Sequence, residues 1–188
     1  MKQLSMKKLS TYLIICTLMA VNFAACSQAN SLKTIKAGEE IKITSSSLNS
    51  DGKWRSVITL SKGDNKSPQI SWIPVETASC YAIYMIDISA GNWCHWIAKD
   101  VKVTELEMGA TLENSQYIGP YPPSGNHTYE LMIFALKESP DSYIGYFDSK
   151  NSSMDDIIAA LDTFKGSTGN ILSTGVLSGT YQSGDVVE

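Results

Sequence analysis

Residues Cys80 to Asp87 read CYAIYMID, apolar at nearly every position. A strand with one face in water alternates apolar and polar residues, because its side-chain period is two. This run does not alternate. It suits a central strand covered on both faces, so the fold must supply covering elements on each side. Around it, segments rich in β-branched and aromatic residues are separated by Gly, Pro, Asn and Ser: IKITSSS, WRSVITL, QISWIPV, HWIAKDVKV, TYELMIFALK and NILSTGVLSGTYQ. That spacing predicts a mainly β domain, a sandwich or barrel, in which WRSVITL alternates as a half-exposed strand would. One covering element is visible in MDDIIAALDTFKG, where Ile157, Ile158, Leu161 and Phe164 recur at helical spacing. Ser153 is placed to cap this helix and Gly166 to stop it, while Asp155 and Asp156 in the first turn and Lys165 in the last suit the helix dipole. KESPDSYIGYFDSKNSS has no clear period and is expected to be the loop that carries the helix across the sheet.

Residues 1–25 are read as an export signal, because MKKLSTYLIICTLMAVNFAAC combines a basic start, an apolar run and small residues before Cys26. The apolar run is too short, and too soon followed by SQANS, for a spanning helix. Met6, followed by Lys7 and Lys8, is an alternative start. Two cleavage patterns compete. Phe23-Ala24-Ala25-Cys26 resembles the bacterial lipobox, which would make Cys26 the lipidated N-terminus, while Ser27-Gln28-Ala29 suits an ordinary secretory cut. Residues 26–38 are then a polar tether and 39–188 the folded domain. The expected location is the cell envelope, lipid-anchored to a bacterial membrane, with a secreted or periplasmic soluble form as the alternative.

An oxidising compartment raises the question of a disulfide between Cys80 and Cys94. If CYAIYMID and CHWIAKDV pair antiparallel, each cysteine faces the far end of the other strand, about 20 Å away at about 3.3 Å per residue. That exceeds disulfide reach, and two buried free thiols are expected. A formal charge of −4 with no basic patch gives nucleic acid no footprint. Sequons at Asn65, Asn126 and Asn151 carry no glycan expectation behind a bacterial-type signal.

The chain has two histidines, His95 in NWCHWIA and His127 in GNHTYEL, each where a loop enters a predicted strand. Sites are commonly built at such entries. Alternation places His127 and Tyr129 on one side of the sheet, an imidazole beside a phenol. Trp93 and Trp96 flank His95 and offer either an apolar rim or core packing. No Gly-x-Ser-x-Gly, His-Glu-x-x-His, P-loop or Cys-x-x-Cys motif is present, so no enzyme activity, cofactor or metal is expected.

SPQISW, YAIYMIDISAG, WCHW, GPYPPSGNHTYELMIFAL and LSGTYQ occur in this order, and together they resemble the phosphatidylethanolamine-binding protein family, in its bacterial Raf-kinase-inhibitor-like branch. The resemblance covers about Ile43 to Gln182, and the Gly-Pro-x-Pro-Pro-x-Gly-x-His-x-Tyr stretch is its specific part. It implies a β-sandwich with a C-terminal helix and a small anion pocket lined by Asp87, His95, His127 and Tyr129, with Pro122 and Pro123 shaping its wall and Trp93 at its rim. The implied ligand is phosphate or a phosphorylated headgroup. An ordinary imidazole, with a pKa of about 6.5, is readily held cationic by a phosphate, and Asp87 would orient one of the rings. The chain departs from the family's Asp-Pro-Asp-Ala-Pro pattern at Asp87-Ile88-Ser89-Ala90-Gly91, losing a carboxylate and both prolines. Two other readings stand beside the binding protein: a module that inhibits or regulates a protease or kinase-like protein partner, and an enzyme or metal site built on the two-histidine, one-carboxylate set Asp87, His95 and His127.

Overall fold

A computed structural model describes residues 33–188. The signal and the lipidation site expected at Cys26 lie outside the described residues. Seven strands are present among the described residues: β1 (Ile70–Ser71), β2 (Cys80–Asp87), β3 (Trp93–Val101), β4 (Glu105–Leu106), β5 (Ser115–Tyr117), β6 (Asn126–Leu136) and β7 (Ile171–Gln182), with helix α1 (Met154–Leu161) before the last strand. The main sheet has the order β5-β3-β2-β6-β7, antiparallel throughout, and β1 and β4 form a separate antiparallel pair. The fold is mostly β with two sheets and one C-terminal helix, as expected.

β2 is buried at all eight positions and is central to the sheet, as its unbroken apolar run requires. Its two faces serve different cores. Tyr81, Ile83 and Met85 pack with Trp54, Ile58, Trp72, Leu131 and Ile133. Ala82, Tyr84 and Ile86 pack with Phe134, Ile157 and Leu161, so α1 covers this second face. Each fully buried large side chain contributes about 1.5–3 kcal/mol.

The helix is shorter than its periodicity suggests. Ser153 caps it, its hydroxyl accepting from the Asp156 amide at 3.1 Å, and Ile157 and Leu161 are buried. Ile158, however, is 37% exposed, and the helix stops at Leu161. Phe164, Lys165 and Gly166 lie beyond it because two aspartates capture the following amides. The Asp162 carboxylate accepts from Gly169 and Ile171 N–H, and that of Asp141 from Lys165 and Gly166 N–H. These local acceptors offer the backbone an alternative to another helical turn.

The expected strands IKITSSS and WRSVITL are not strands. The first contributes one isolated bridge, Thr44 to Ser71, and the second folds as a single 3-10 turn, Ser56–Ile58. This segment lies along the outer edge of β7 and caps it: Ile41 N–H donates to Thr174 O, and Trp54 N–H to Thr180 O, both at 2.9 Å. Close approach is possible because β7 carries Gly179, where a Cβ would sit 2.3 Å from Leu48 Cδ1 and 2.8 Å from Trp54 Nε1. Ile35, within the stretch expected as a tether, already bridges to Val75, so the fold begins before residue 39.

Cys80 and Cys94 are buried and free, with Cys94 opposite Ile86 and Cys80 opposite Leu136, at opposite ends of β2. Among the described residues no helix is long and apolar enough to cross a membrane.

Candidate functional site

Because β2 is antiparallel to both neighbours, its last residue meets the start of β3 and the start of β6. Asp87 is paired with Trp93 on one side and Tyr129 on the other. The predicted residues therefore meet at one end of the sheet. Asp87, Trp93, His95, Pro122, Pro123, His127 and Tyr129 line a single cavity of about 330 Å³, joined by Ala90, Tyr121 and Lys150.

His127 and Tyr129 share a face, as their spacing requires, with ring centroids 6.5 Å apart. His95 reaches the same cavity by a different route. Met85 pairs with Trp96, and the next residue, Ile86, pairs with Cys94, which leaves His95 unpaired as a β-bulge. Without the bulge His95 would point the same way as Ile97, which packs on the helix-covered face. The bulge turns it toward Tyr129, with ring centroids 5.2 Å apart and edge to face, and toward Tyr121 at 5.6 Å.

The Asp87 side chain is saturated. It is 3% exposed, and one carboxylate oxygen accepts from Ser89 N–H at 2.9 Å and Ala90 N–H at 3.2 Å, capping the 3-10 turn Ile88–Ala90. The other accepts from His127 Nδ1 at 2.6 Å. Ser89, which stands in the departure from the family pattern, turns away from the cavity: its hydroxyl accepts from Thr128 N–H at 2.9 Å and ties this turn to β6. His95 is also 3% exposed, and its Nδ1 bonds the Ile118 carbonyl at 2.9 Å. Burial lowers its pKa below the ordinary value, outweighing the opposite pull of that carbonyl and of Asp87 and Asp148.

Tyr129 is fully buried, and its hydroxyl is closed to water and without a hydrogen-bond partner among the described residues. The Asp87 carboxylate lies near enough to act on it electrostatically but outside hydrogen-bonding geometry. Burial first, and then Asp87, push the phenol well above its ordinary pKa. The expected phenol donor thus forms part of the lining from within the core.

The rim was only partly legible. Trp93 is there, while Trp96 is a core residue whose Nε1–H donates to Ser115. Asp148 joins two walls by accepting from Trp93 Nε1 at 3.1 Å and from the Tyr121 hydroxyl at 2.6 Å. Burial, and then Asp148, push the Tyr121 phenol up to about 12. Lys150 makes no ion pair among the described residues. Asp148 and Lys150 come from a loop with no periodic signal; Tyr121 was in plain view inside GPYPPSGNH.

The proline-rich loop rests on the turn that replaces the expected WRSVITL strand. The Tyr117 hydroxyl donates to Ile58 O, Gly119 N–H to Asn65 Oδ1, and Leu60 N–H to Pro120 O. A Cβ at Gly119 would sit 2.0 Å from Ile58 O. Among the described residues no group of three or more His, Cys, Asp or Glu is disposed to hold a metal.

Among solved structures, the chain is similar to CT736 of Chlamydia trachomatis, described as a phosphatidylethanolamine-binding protein homologue. The TM-score is 0.59 and the identity 21%, over 77% of this chain and 98% of that one. It is also similar to YbcL of E. coli, described as a new member of the mammalian family, at a TM-score of 0.58 and 19% identity over 77% of this chain and 99% of that one. At these identities the likeness concerns the fold. No curated protein sequence matches the chain. The family described as phosphatidylethanolamine-binding protein matches residues 31–182, nearly all of the folded part, and the chain belongs to that family.

Proposed function

We propose that this domain binds a small oxyanion, phosphate or a phosphorylated headgroup, in the cavity at the end of β2, without turning it over. The observation that supports this is the meeting of His95, His127 and Lys150 in one cavity whose other walls are largely aromatic and proline. Lys150 supplies a point charge, and apolar walls strengthen its field. Asp87 would repel an anion if it faced one bare. Its oxygens are instead taken by two amides and His127 Nδ1, leaving His127 Nε2 for the ligand.

Two observations support binding without catalysis. The Ser89 hydroxyl is engaged with the Thr128 amide, and Cys94 belongs to the opposite core, its thiol pushed up to about 12 by burial. Neither is an activated nucleophile. The sequence pattern before Cys26 supports export and a lipid anchor, which would hold the cavity near a membrane surface.

Histidine-selective NMR on the mature chain tests the binding reading. Millimolar phosphate is expected to shift both histidine ring signals in the wild type, and His127→Ala is expected to abolish the response at His95. No shift in the wild type would overturn the proposal. For the anchor, detergent partitioning of the chain is expected to be lost in Cys26→Ser.

A further inference from the structure

The two imidazoles at the cavity are not equivalent. Each uses Nδ1 against the protein, but the partners differ. His127 Nδ1 bonds a carboxylate that can pair with a charged ring, so whenever the ring is an imidazolium its Nε2–H is left to donate to an anion. His95 Nδ1 faces a neutral carbonyl, and a carbonyl can only accept, so Nδ1 carries the proton. In the neutral ring, Nε2 is then a lone pair. It has no hydrogen-bond partner among the described residues, and the ring is part of the cavity wall.

The surroundings keep His95 neutral. The ring is 3% exposed and packs in T-shaped contacts with Tyr121 and Tyr129. Asp87 and Asp148 act on it from β2 and from the 146–150 loop, but burial outweighs them. A second proton on this ring would place a charge among aromatic side chains.

A bare oxyanion oxygen set against the His95 lone pair is repelled, whereas an oxygen carrying a proton donates to it. We infer that the cavity selects an oxyanion that retains an acidic proton, dihydrogen phosphate or a phosphomonoester monoanion, with its P–O–H donating to His95 Nε2 and its other oxygens accepting from His127 and Lys150. No bond forms or breaks; the proton stays on the ligand. This rests on the anion reading above and narrows it. Phosphodiesters, including the linkage of an intact phospholipid headgroup, and sulfate carry no such proton and leave the lone pair opposed. A site built around a ligand O–H rejects the analogue lacking it.

Calorimetry of the mature chain at about pH 6, where a phosphomonoester is near its second ionisation, tests this with inorganic phosphate, phosphoethanolamine, dimethyl phosphate and sulfate at equal ionic strength. Charge alone would rank sulfate first. The expected result is phosphate and phosphoethanolamine at least about 10-fold tighter than sulfate and dimethyl phosphate. Equal affinities, or sulfate or the diester tighter, would overturn the inference while leaving the anion reading in place. Absence of binding by all four would overturn both. Nitrogen-15 spectra of the phosphate complex give a second readout: His95 is expected to keep one N–H, and two N–H signals on that ring would sink the idea.

Discussion

Asp87 allows the two roles of one buried carboxylate to be separated. In Asp87→Ala the Ser89 and Ala90 amides and His127 Nδ1 all lose their partner. Hydrogen bonds to a charged group contribute about 1.5–3 kcal/mol, and each buried donor left unpaired costs about 1–3 kcal/mol. The amides lie at a partly open turn and recover some hydration, so a total loss of about 3–5 kcal/mol is expected. Asp87→Asn keeps an oxygen for the two amides but turns an NH₂ toward His127. The imidazole is expected to lose its Nδ1 proton and accept there, with its N–H at Nε2, which exchanges one charged bond for a neutral one. The loss is then about 1–2 kcal/mol. Urea unfolding at constant slope measures both, and nitrogen-15 spectra of the histidine ring report the tautomer. If Asn destabilises as much as Ala, or if His127 keeps its proton on Nδ1 in Asp87→Asn, the assignment of separate turn and imidazole bonds is wrong.

On the helix face, Leu161→Ala is expected to cost about 2–5 kcal/mol in urea unfolding, because Leu161 is fully buried, while the same change at exposed Ile158 stays within about 0.5 kcal/mol. Cys94, with its thiol pushed up to about 12 by burial, favours the folded state while it keeps its proton. Above pH 9 the unfolded chain releases this proton and the folded chain does not, so stability falls as pH rises from about 9 toward 12; melting temperatures across that window check the sign. Below it, a thiol reagent at about pH 8 is expected to label Cys94 only when the chain unfolds. Asp148→Ala frees the Trp93 indole and the Tyr121 hydroxyl at an exposed rim. It is expected to change stability by less than about 1 kcal/mol, to weaken phosphate binding several-fold, and to remove the hydrogen-bonded shift of the Trp93 indole proton in NMR.

What the sequence made legible follows from what each pattern records. The β2 run records burial on two faces, and the GPYPPSGNHTY stretch holds five pocket residues close together, with His127 and Tyr129 at alternate positions of β6, so both could be read locally. The 41–60 segment misled because alternation reports which side chains are buried, not what the backbone pairs with. Ile41, Ile43, Trp54 and Ile58 are buried, but the backbone bonds are scattered, to β7 at Thr174 and Thr180 and elsewhere to Ser71, Val187 and Pro120, without the ladder of a strand. At the helix, Phe164 has the right spacing, but Asp141 and Asp162 compete for the amides that another turn would need. Lys150 and Asp148 belong to the site through tertiary placement of a loop, which no periodicity encodes.

The bulge at residue 95 has a numerical consequence. Counting along β3 without that residue, Trp93, Cys94, Trp96, Ile97 and Ala98 fall opposite Asp87, Ile86, Met85, Tyr84 and Ile83 in unbroken order. Cys94 and Trp96, which face opposite cores, would become ordinary neighbours on alternate sides. His95 is thus a surplus residue in a sheet that closes without it. Shortening the chain by this one position is expected to keep Cys94 opposite Ile86 and Trp96 opposite Met85, at the loss of the His95 ring from the cavity and of the bond from Ile118 N–H to the His95 carbonyl, whereas a substitution there keeps the extra residue and only changes what it carries.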